Sequence, residues 1–331
     1  MYIKFFLLVL PLTFVSVTAH AEWFKDARGI MGTNIEVDLW DTDVIHAKGC
    51  IEDVMGEMEH INQEMSPYIK TSELYKVNQL AAKQPVKISQ EMFDLIKRSF
   101  YFSEISHGAF DITYASIGYR YDYRKHIMPS DSQIKAALPE ISYRHIQLDA
   151  KDRTIRFTVP GVRIDLGGIA KGYAVDRSID SLRKCGITDA MVTAGGDSRI
   201  IGDHQGRPWM IGIKDPRNKK TSVVAVPLSN TAVSTSGDYE RYFMKDGVRY
   251  HHILNPKTGK SVHSTRSVTI IAPDATTTDG LSTTIFVMGP KAGMALIEQL
   301  KDVDAIIIDN KGRISYSSGL MPPSIPSQPS K

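Results

Sequence analysis

The sequence predicts an α+β fold. Strand-patterned and helix-patterned runs are both abundant, and they do not follow the regular alternation that builds a parallel βαβ sheet. A length of 331 residues with 42% hydrophobic and 23% charged residues provides for a proper core in one or two domains. The formal net charge of +3 gives no electrostatic case for nucleic acid as a partner.

The first stretch, MYIKFFLLVLPLTFVSVTAHA, has Lys4, an apolar run from Phe5 to Val17 and an A-x-A site at Ala19-His20-Ala21. This pattern predicts a secretory signal peptide over 1–21, cut after Ala21, and so a periplasmic protein. The apolar run is too short for a retained anchor and Pro11 interrupts it. No cysteine stands at the boundary to carry a lipid.

Thr33 to Trp40 alternates as a strand, and Val44 to Met65 places Ala47, Ile51, Val54, Met58 and Ile61 on one helical face. His46 and His60 on that helix read as surface residues. SPYIKTSELYKVNQ is polar and turn-rich, and a second helix follows from about Gln90 to Ser106, ending near Gly108. YRYDYRKH, from Tyr119 to His126, contains Asp122 and stands alone, so it reads as a solvated loop rather than a nucleic-acid patch. Strands dominate 142–166, 191–213 and 222–250. Ala170 to Cys185 reads as a helix ended by Gly186, and helices at 277–288 and 289–300 alternate with strands at 267–272 and 304–309. One domain over 22–317 is expected, then a Pro/Ser-rich disordered tail over 318–331. Cys50 and Cys185 are expected to be two buried free thiols, since a chain of this length needs no staple.

The chemistry concentrates in polar, glycine-bearing stretches at element ends. In RIDLGGIAKGYAVDRSID, the run to Leu166 reads as a half-buried strand and the run from Ala170 as a helix, so Asp165 to Gly168 is a strand-to-helix turn. Unpaired N–H groups at a helix start suit a phosphate or carboxylate. The turn is not a dinucleotide fingerprint, which would need glycine at Ile169, nor a P-loop, which would need lysine at Tyr173. AGGD at 194–197, STSGD at 234–238 and NPKTG at 255–259 can each be a plain turn, the last with Pro256 at its second position. TTTDGLSTTIFVMG at 276–289 says more. Asp279 and Thr283 are four residues apart on a predicted helix and share one face. A carboxylate and a hydroxyl there can hold a hard cation such as Mg²⁺.

Taken in order, MGT (31–33), SPY and SEL (66–74), GAFDIT (108–113), DLGGIAKGYAVD (165–176), AGGD (194–197), STSGDYERYF (234–243), HHILNPKTG (251–259) and TDGLSTTIFVMG (278–289) resemble the ApbE family of FAD:protein FMN transferases. The resemblance runs from about Met31 to Gly289. It implies an ApbE-like (T-fold-like) α+β fold of mixed, largely antiparallel sheets packed with helices. It further implies Mg²⁺-dependent transfer of FMN from FAD to a Thr or Ser hydroxyl of an exported target, with AMP released. The metal would be held by the Gly168 carbonyl, Asp279 and Thr283, with Ser282 adjacent. FAD would be gripped by Met31, Tyr68, the segment Ala109, Phe110 and Asp111, Asp165, Lys171 and Ile253. His252 would help deprotonate the acceptor hydroxyl. Targets implied are subunits of redox or respiratory complexes. Asn255 stands where the family often has Asp, which could weaken the site, and Gly280 where it often has Ala, which should loosen a helix start.

The residues agree with that chemistry, because pyrophosphate cleavage asks for charge neutralisation and in-line positioning more than for a covalent intermediate. Two other readings use the same residues. An Mg²⁺-dependent FAD pyrophosphatase would release FMN and AMP to water. A periplasmic FAD carrier would leave the flavin intact.

Overall fold

The computed structural model describes residues 21–218 and 221–321. The expected signal peptide up to residue 20 and the tail from 322 lie outside the described residues. Ser318–Leu320 forms a short 3-10 turn, so ordered chain runs slightly past the expected tail boundary.

The centre is one eight-stranded sheet with neighbours in the order Glu22–Ile30, Thr33–Asp41, Ala190–Ala194, Asp197–Ile201, Ala232–Gly237, Thr265–Ala272, Asp304–Asp309 and Ile314–Tyr316. Every neighbouring pair is antiparallel. The α+β expectation therefore holds. The first two strands, β1 (Glu22–Ile30) and β2 (Thr33–Asp41), meet at a two-residue turn in which Met31 has φ 54° and Gly32 φ 70°. Two successive left-handed residues match the twist of a tight hairpin. Along β2, Ile35, Val37 and Leu39 are buried and the residues between them face outward, as period-two alternation requires.

The helices are α1 (Val44–Met65), α2 (Glu73–Leu80), α3 (Gln90–Ile105), α4 (Ala115–Gly118), α5 (Asp131–Ala137), α6 (Ala170–Lys184), α7 (Ala275–Met288) and α8 (Pro290–Ile297). Helices α1, α6 and α7 lie side by side across one face of the sheet. The Asp43 side chain caps α1 by accepting the N–H groups of Ile45 and His46, and the buried stripe Ala47, Cys50, Val54, Met58, Ile61 and Met65 faces the core. On the other face, the hairpin Trp209–Lys214/Ser222–Leu228 covers Ile200, Val233 and Ile271.

Four sequence expectations change. The stretch after Pro67 contains the helix α2, capped by Ser72; it is short and buries only Leu74 and Val77, so its periodicity is too brief to read. Residues 162–166 are extended but join no sheet. The N–H and C=O of Ile164 bond the Asn78 side chain, and Arg163 N–H bonds Ser116 Oγ, so side chains replace a neighbouring strand. The YRYDYRKH loop is not wholly solvated, because Tyr121 is buried and its hydroxyl donates to the Gly259 carbonyl at 2.8 Å.

Finally, Cys50 and Cys185 are not free thiols but a disulfide, with Cα atoms 6.0 Å apart. The packing of α1 on α6 brings together two residues separated by 135 positions, which spacing alone could not reveal. Closing a loop of that size restricts the unfolded chain strongly. Reduction, or a Cys50→Ala/Cys185→Ala double variant, should cost about 2–5 kcal/mol, read as a lower guanidinium midpoint for the reduced protein than for the oxidised one.

Candidate active site

Helix α7 carries the centre of the site, and its first turn is fixed from two sides. Asp274 accepts the Thr277 N–H, and Asp176 of α6 accepts the N–H groups of Ala275 and Thr276, both at 2.8 Å. Arg199 pairs with Asp176 at 2.7 Å. Two carboxylates thus satisfy the donors a helix start leaves open and suit its positive end. Gly172 permits the approach of the two helices, since a Cβ there would stand 2.1 Å from the Ala275 carbonyl oxygen.

This contact seats Asp279, which is 2% exposed. Its Oδ2 accepts the Gly172 N–H at 2.9 Å, and the Lys171 ammonium lies 3.4 Å from both oxygens. Lys171 also pairs closely with Asp197, itself 2% exposed. Burial opposes the charge on Lys171, yet Asp197 and Asp279 together hold its pKa above the ordinary lysine value. Burial, followed by the neighbouring Asp197 charge, pushes the Asp279 carboxyl upward, and Lys171 and the Gly172 N–H pull it back. With both buried carboxylates ionised, one ammonium between them leaves a net negative charge that a further cation would balance; without that cation, the raised Asp279 carboxyl favours its protonated form.

Hydroxyl oxygens surround the same point. Ser236 Oγ, on the strand Ala232–Gly237, lies 2.9 Å from Ser282 Oγ and 3.4 Å from Thr283 Oγ1. Ser282 Oγ donates to the Asp279 carbonyl at 3.0 Å, so its hydrogen is committed to its own helix. Thr283 Oγ1 has only the long contact to Ser236 among the described residues. A Cβ on Gly168 would stand 3.5 Å from Thr283 Oγ1 and 3.3 Å from the Phe110 ring, which places the glycine backbone against that hydroxyl. The structure therefore brings Gly168, Asp279, Ser282 and Thr283 together. Asp279 Oδ1 and Thr283 Oγ1 keep lone pairs without a short partner among the described residues, and a carboxylate with hydroxyl oxygens fits a hard cation.

Around this centre, Asp165 takes the Gly167 N–H on Oδ1 at 2.7 Å; burial raises its carboxyl, which that bond and the nearby Arg241 guanidinium partly offset. Arg241 also faces Tyr68 and His252, and Tyr68 is 80% exposed. Met31 forms the β1–β2 hairpin turn, while Phe110 and Ile253 are buried and Ala109 partly so. Asp111 is placed differently from a free ligand. Its Oδ1 holds the N–H and hydroxyl of Thr113 and its Oδ2 the Tyr143 N–H, so it fixes the turn that carries Phe110. Asp197 and Arg241 lie at the candidate site and are absent from the sequence-derived set. They stand in AGGD and STSGDYERYF, stretches that a plain turn explains more simply. AGGD is indeed a hairpin turn, with Ala194 paired to Asp197.

His252 donates its backbone N–H to the Arg241 carbonyl, and its Nδ1 is buried without a hydrogen-bond partner. Burial, then the charges of Arg241, His251 and Lys171, push its pKa down to about 3. His251 is structural: Nε2 bonds the Val262 carbonyl and Nδ1 accepts the Ile253 N–H. The two departures from the family pattern are also local. Asn255 Oδ1 accepts the Lys257 N–H at 2.9 Å, a turn bond that Asp would make equally. Gly280 lies inside α7, and a Cβ there would stand 2.6 Å from the Phe102 ring, so the glycine makes room for Phe102 rather than loosening a helix start.

The sequence pattern of the ApbE family matches residues 31–307. The chain belongs to the ApbE family. An FAD:protein FMN transferase of Vibrio cholerae is 33% identical over 274 residues, covering 80% of this chain and 81% of the relative. One of Treponema pallidum is 30% identical, covering 92% and 89%. The crystal structure of an ApbE protein from Thermotoga maritima superposes with a TM-score of 0.84 at 36% identity, covering 90% of this chain and 98% of that one. The ApbE fold thus extends over nearly all of the described chain.

His251, 1% exposed, gives this ApbE chain a pH-dependent stability. Burial lowers its pKa from 6.5 to about 4. The unfolded chain therefore binds a proton below about pH 6.5 that the folded chain refuses until about pH 4. Stability should fall as pH drops through that window, by about 2 kcal/mol at pH 5. Urea midpoints at pH 7 and pH 5 check this, and His251→Gln should reduce the difference while leaving the share due to His252, whose pKa is also lowered by burial.

Proposed function

We propose that this chain transfers FMN from FAD to a Thr or Ser hydroxyl of a target protein, with Mg²⁺ at the Asp279 centre. The carrying observation is the buried pair Asp197 and Asp279 sharing one ammonium beside the open hydroxyl of Thr283. Membership of a family whose relatives are FAD:protein FMN transferases makes flavin transfer the activity such a centre would serve.

Asp279, Thr283 and the Gly168 carbonyl would hold Mg²⁺, with Ser282 alongside, and the ion would neutralise charge on the FAD diphosphate. Lys171 keeps Asp279 oriented and adds positive charge beside the diphosphate, and Arg241 supplies a second cation at the mouth. Met31 and the exposed Tyr68 would offer apolar surface to the flavin and adenine rings. His252 enters as a neutral imidazole and takes the proton of the acceptor hydroxyl. The hydroxyl oxygen forms a bond to the FMN phosphorus, the bond to the bridging oxygen breaks, and AMP leaves with that electron pair.

Asp279→Ala should lower transfer on the order of 10²–10³-fold while the fold persists. His252→Ala should retain FAD binding and lose on the order of 10²-fold in transfer, partly recovered at higher pH. Incubation with FAD, Mg²⁺ and candidate targets, followed by mass spectrometry of the target, reads both. A covalent mass gain supports the transferase; free FMN and AMP without it would give the pyrophosphatase, and intact FAD the carrier. Near-normal transfer by Asp279→Ala would reject the metal assignment.

We further propose that the enzyme works outside the cytoplasmic membrane on exported flavoproteins of redox or respiratory complexes. This rests on the N-terminal 21 residues. N-terminal sequencing of the native protein should find Glu22 first, and an intact Met1 would overturn it.

A further inference from the structure

The Cys50–Cys185 bridge has neighbours that a purely structural staple does not need. His46 and Cys50 are one turn apart on α1, and His46 Nε2 stands 3.6 Å from Cys50 Sγ. The other ring nitrogen, Nδ1, is 2.6 Å from Asp41 Oδ2 at the end of β2. Asp41 is itself fixed, because its Oδ1 accepts the N–H groups of Thr42 and Asp43. The His46 side chain is 47% exposed, so it exchanges protons with water. The two sulfurs differ in access: Cys50 is 1% exposed, whereas Cys185, just past the end of α6, is only partly buried.

We propose that Cys50–Cys185 is a thiol–disulfide exchange site, in which a dithiol partner attacks Cys185 and Cys50 leaves as a thiolate against the His46 imidazole held by Asp41. The incoming thiolate forms a bond to Cys185 Sγ, the Cys50–Cys185 bond breaks, and its electron pair passes to Cys50 Sγ. The second thiol of the partner, deprotonated, then attacks its own sulfur in the mixed disulfide. Cys185 leaves as a thiolate and takes a proton. The partner ends as a disulfide and the protein as a dithiol, a two-electron exchange.

The chemistry assigns the direction of attack. Exchange is faster when the leaving thiol has a low pKa, and an adjacent imidazolium lowers a thiol pKa. The hydrogen bond to Asp41 raises the His46 pKa, which favours the imidazolium. His46 lies within 4.8 Å of both sulfurs and bonds the Cys185 backbone, but it stands nearest Cys50, at 3.6 Å, and Cys185 has the access, so the two sulfurs take different parts in one step.

The test uses the full oxidised chain. Brief exposure to glutathione, an alkylating quench and peptide mass spectrometry locate the mixed disulfide, which should sit on Cys185 with Cys50 alkylated. The rate of opening by dithiothreitol at pH 7 should fall on the order of tenfold in His46→Gln. His46→Lys, which restores a cation, should recover most of it, although thermal unfolding of the oxidised variants stays alike. In a Cys185→Ser background, absorbance at 240 nm should give Cys50 a thiolate pKa below the free value of about 8.5, raised by adding His46→Gln. Glutathione on Cys50, or opening rates and a Cys50 pKa that ignore residue 46, would overturn the proposal and leave the bridge a staple.

Discussion

The close contact between α6 and α7 is the constraint on which the site depends. Gly172 allows the Ala275 carbonyl to approach where any side chain would collide, and its N–H then reaches the Asp279 carboxylate. Because Lys171 precedes Gly172 on the same helix, its ammonium arrives between Asp279 and Asp197 by the same placement. A buried acidic pair is costly unless it is matched by charge and hydrogen bonds. Here one ammonium serves two carboxylates, which raises the Asp279 carboxyl, and the Thr283 hydroxyl on the next turn of the same helix offers a further oxygen donor.

Other elements deliver residues to that contact with little regular structure of their own. The extended segment 162–166 leads directly into the Asp165–Gly168 turn, held by side-chain amides and hydroxyls instead of a strand ladder. Asp111 performs a similar service for the Phe110 turn, with both carboxylate oxygens committed to nearby backbone N–H groups. These segments can follow the shape of the site closely because no sheet register dictates their path. Their cost is a dependence on single polar residues such as Asn78.

Most of this was legible in the sequence where periodicity was long. The limits of α1 follow from its apolar stripe, α3 and α6 differ from expectation by about one residue, and α7 begins two residues earlier because Asp176 reaches across from α6 to cap it. The candidate site residues came from the ordered motifs, and the structure places Asp279, Ser282 and Thr283 on one stretch of α7 beside Ser236. What was not legible depends on partners distant in sequence. The pairing of Cys50 with Cys185 follows from helix packing, the commitment of Asp111 from Tyr143, and the low pKa of His252 from burial and from Arg241 and Lys171. Asp197 and Arg241 sit in motifs whose turn-forming role concealed a charge role.

Gly280 and the fully buried Phe102 fill one space from two helices. A methyl group at 280 needs volume that the ring at 102 would have to release, so substitutions at the two positions should be coupled. Exchanging segments between this chain and a relative with alanine at that point would join mismatched halves unless α3 and α7 travel together. Covariation between positions 102 and 280 is therefore the trace this packing should leave among family members.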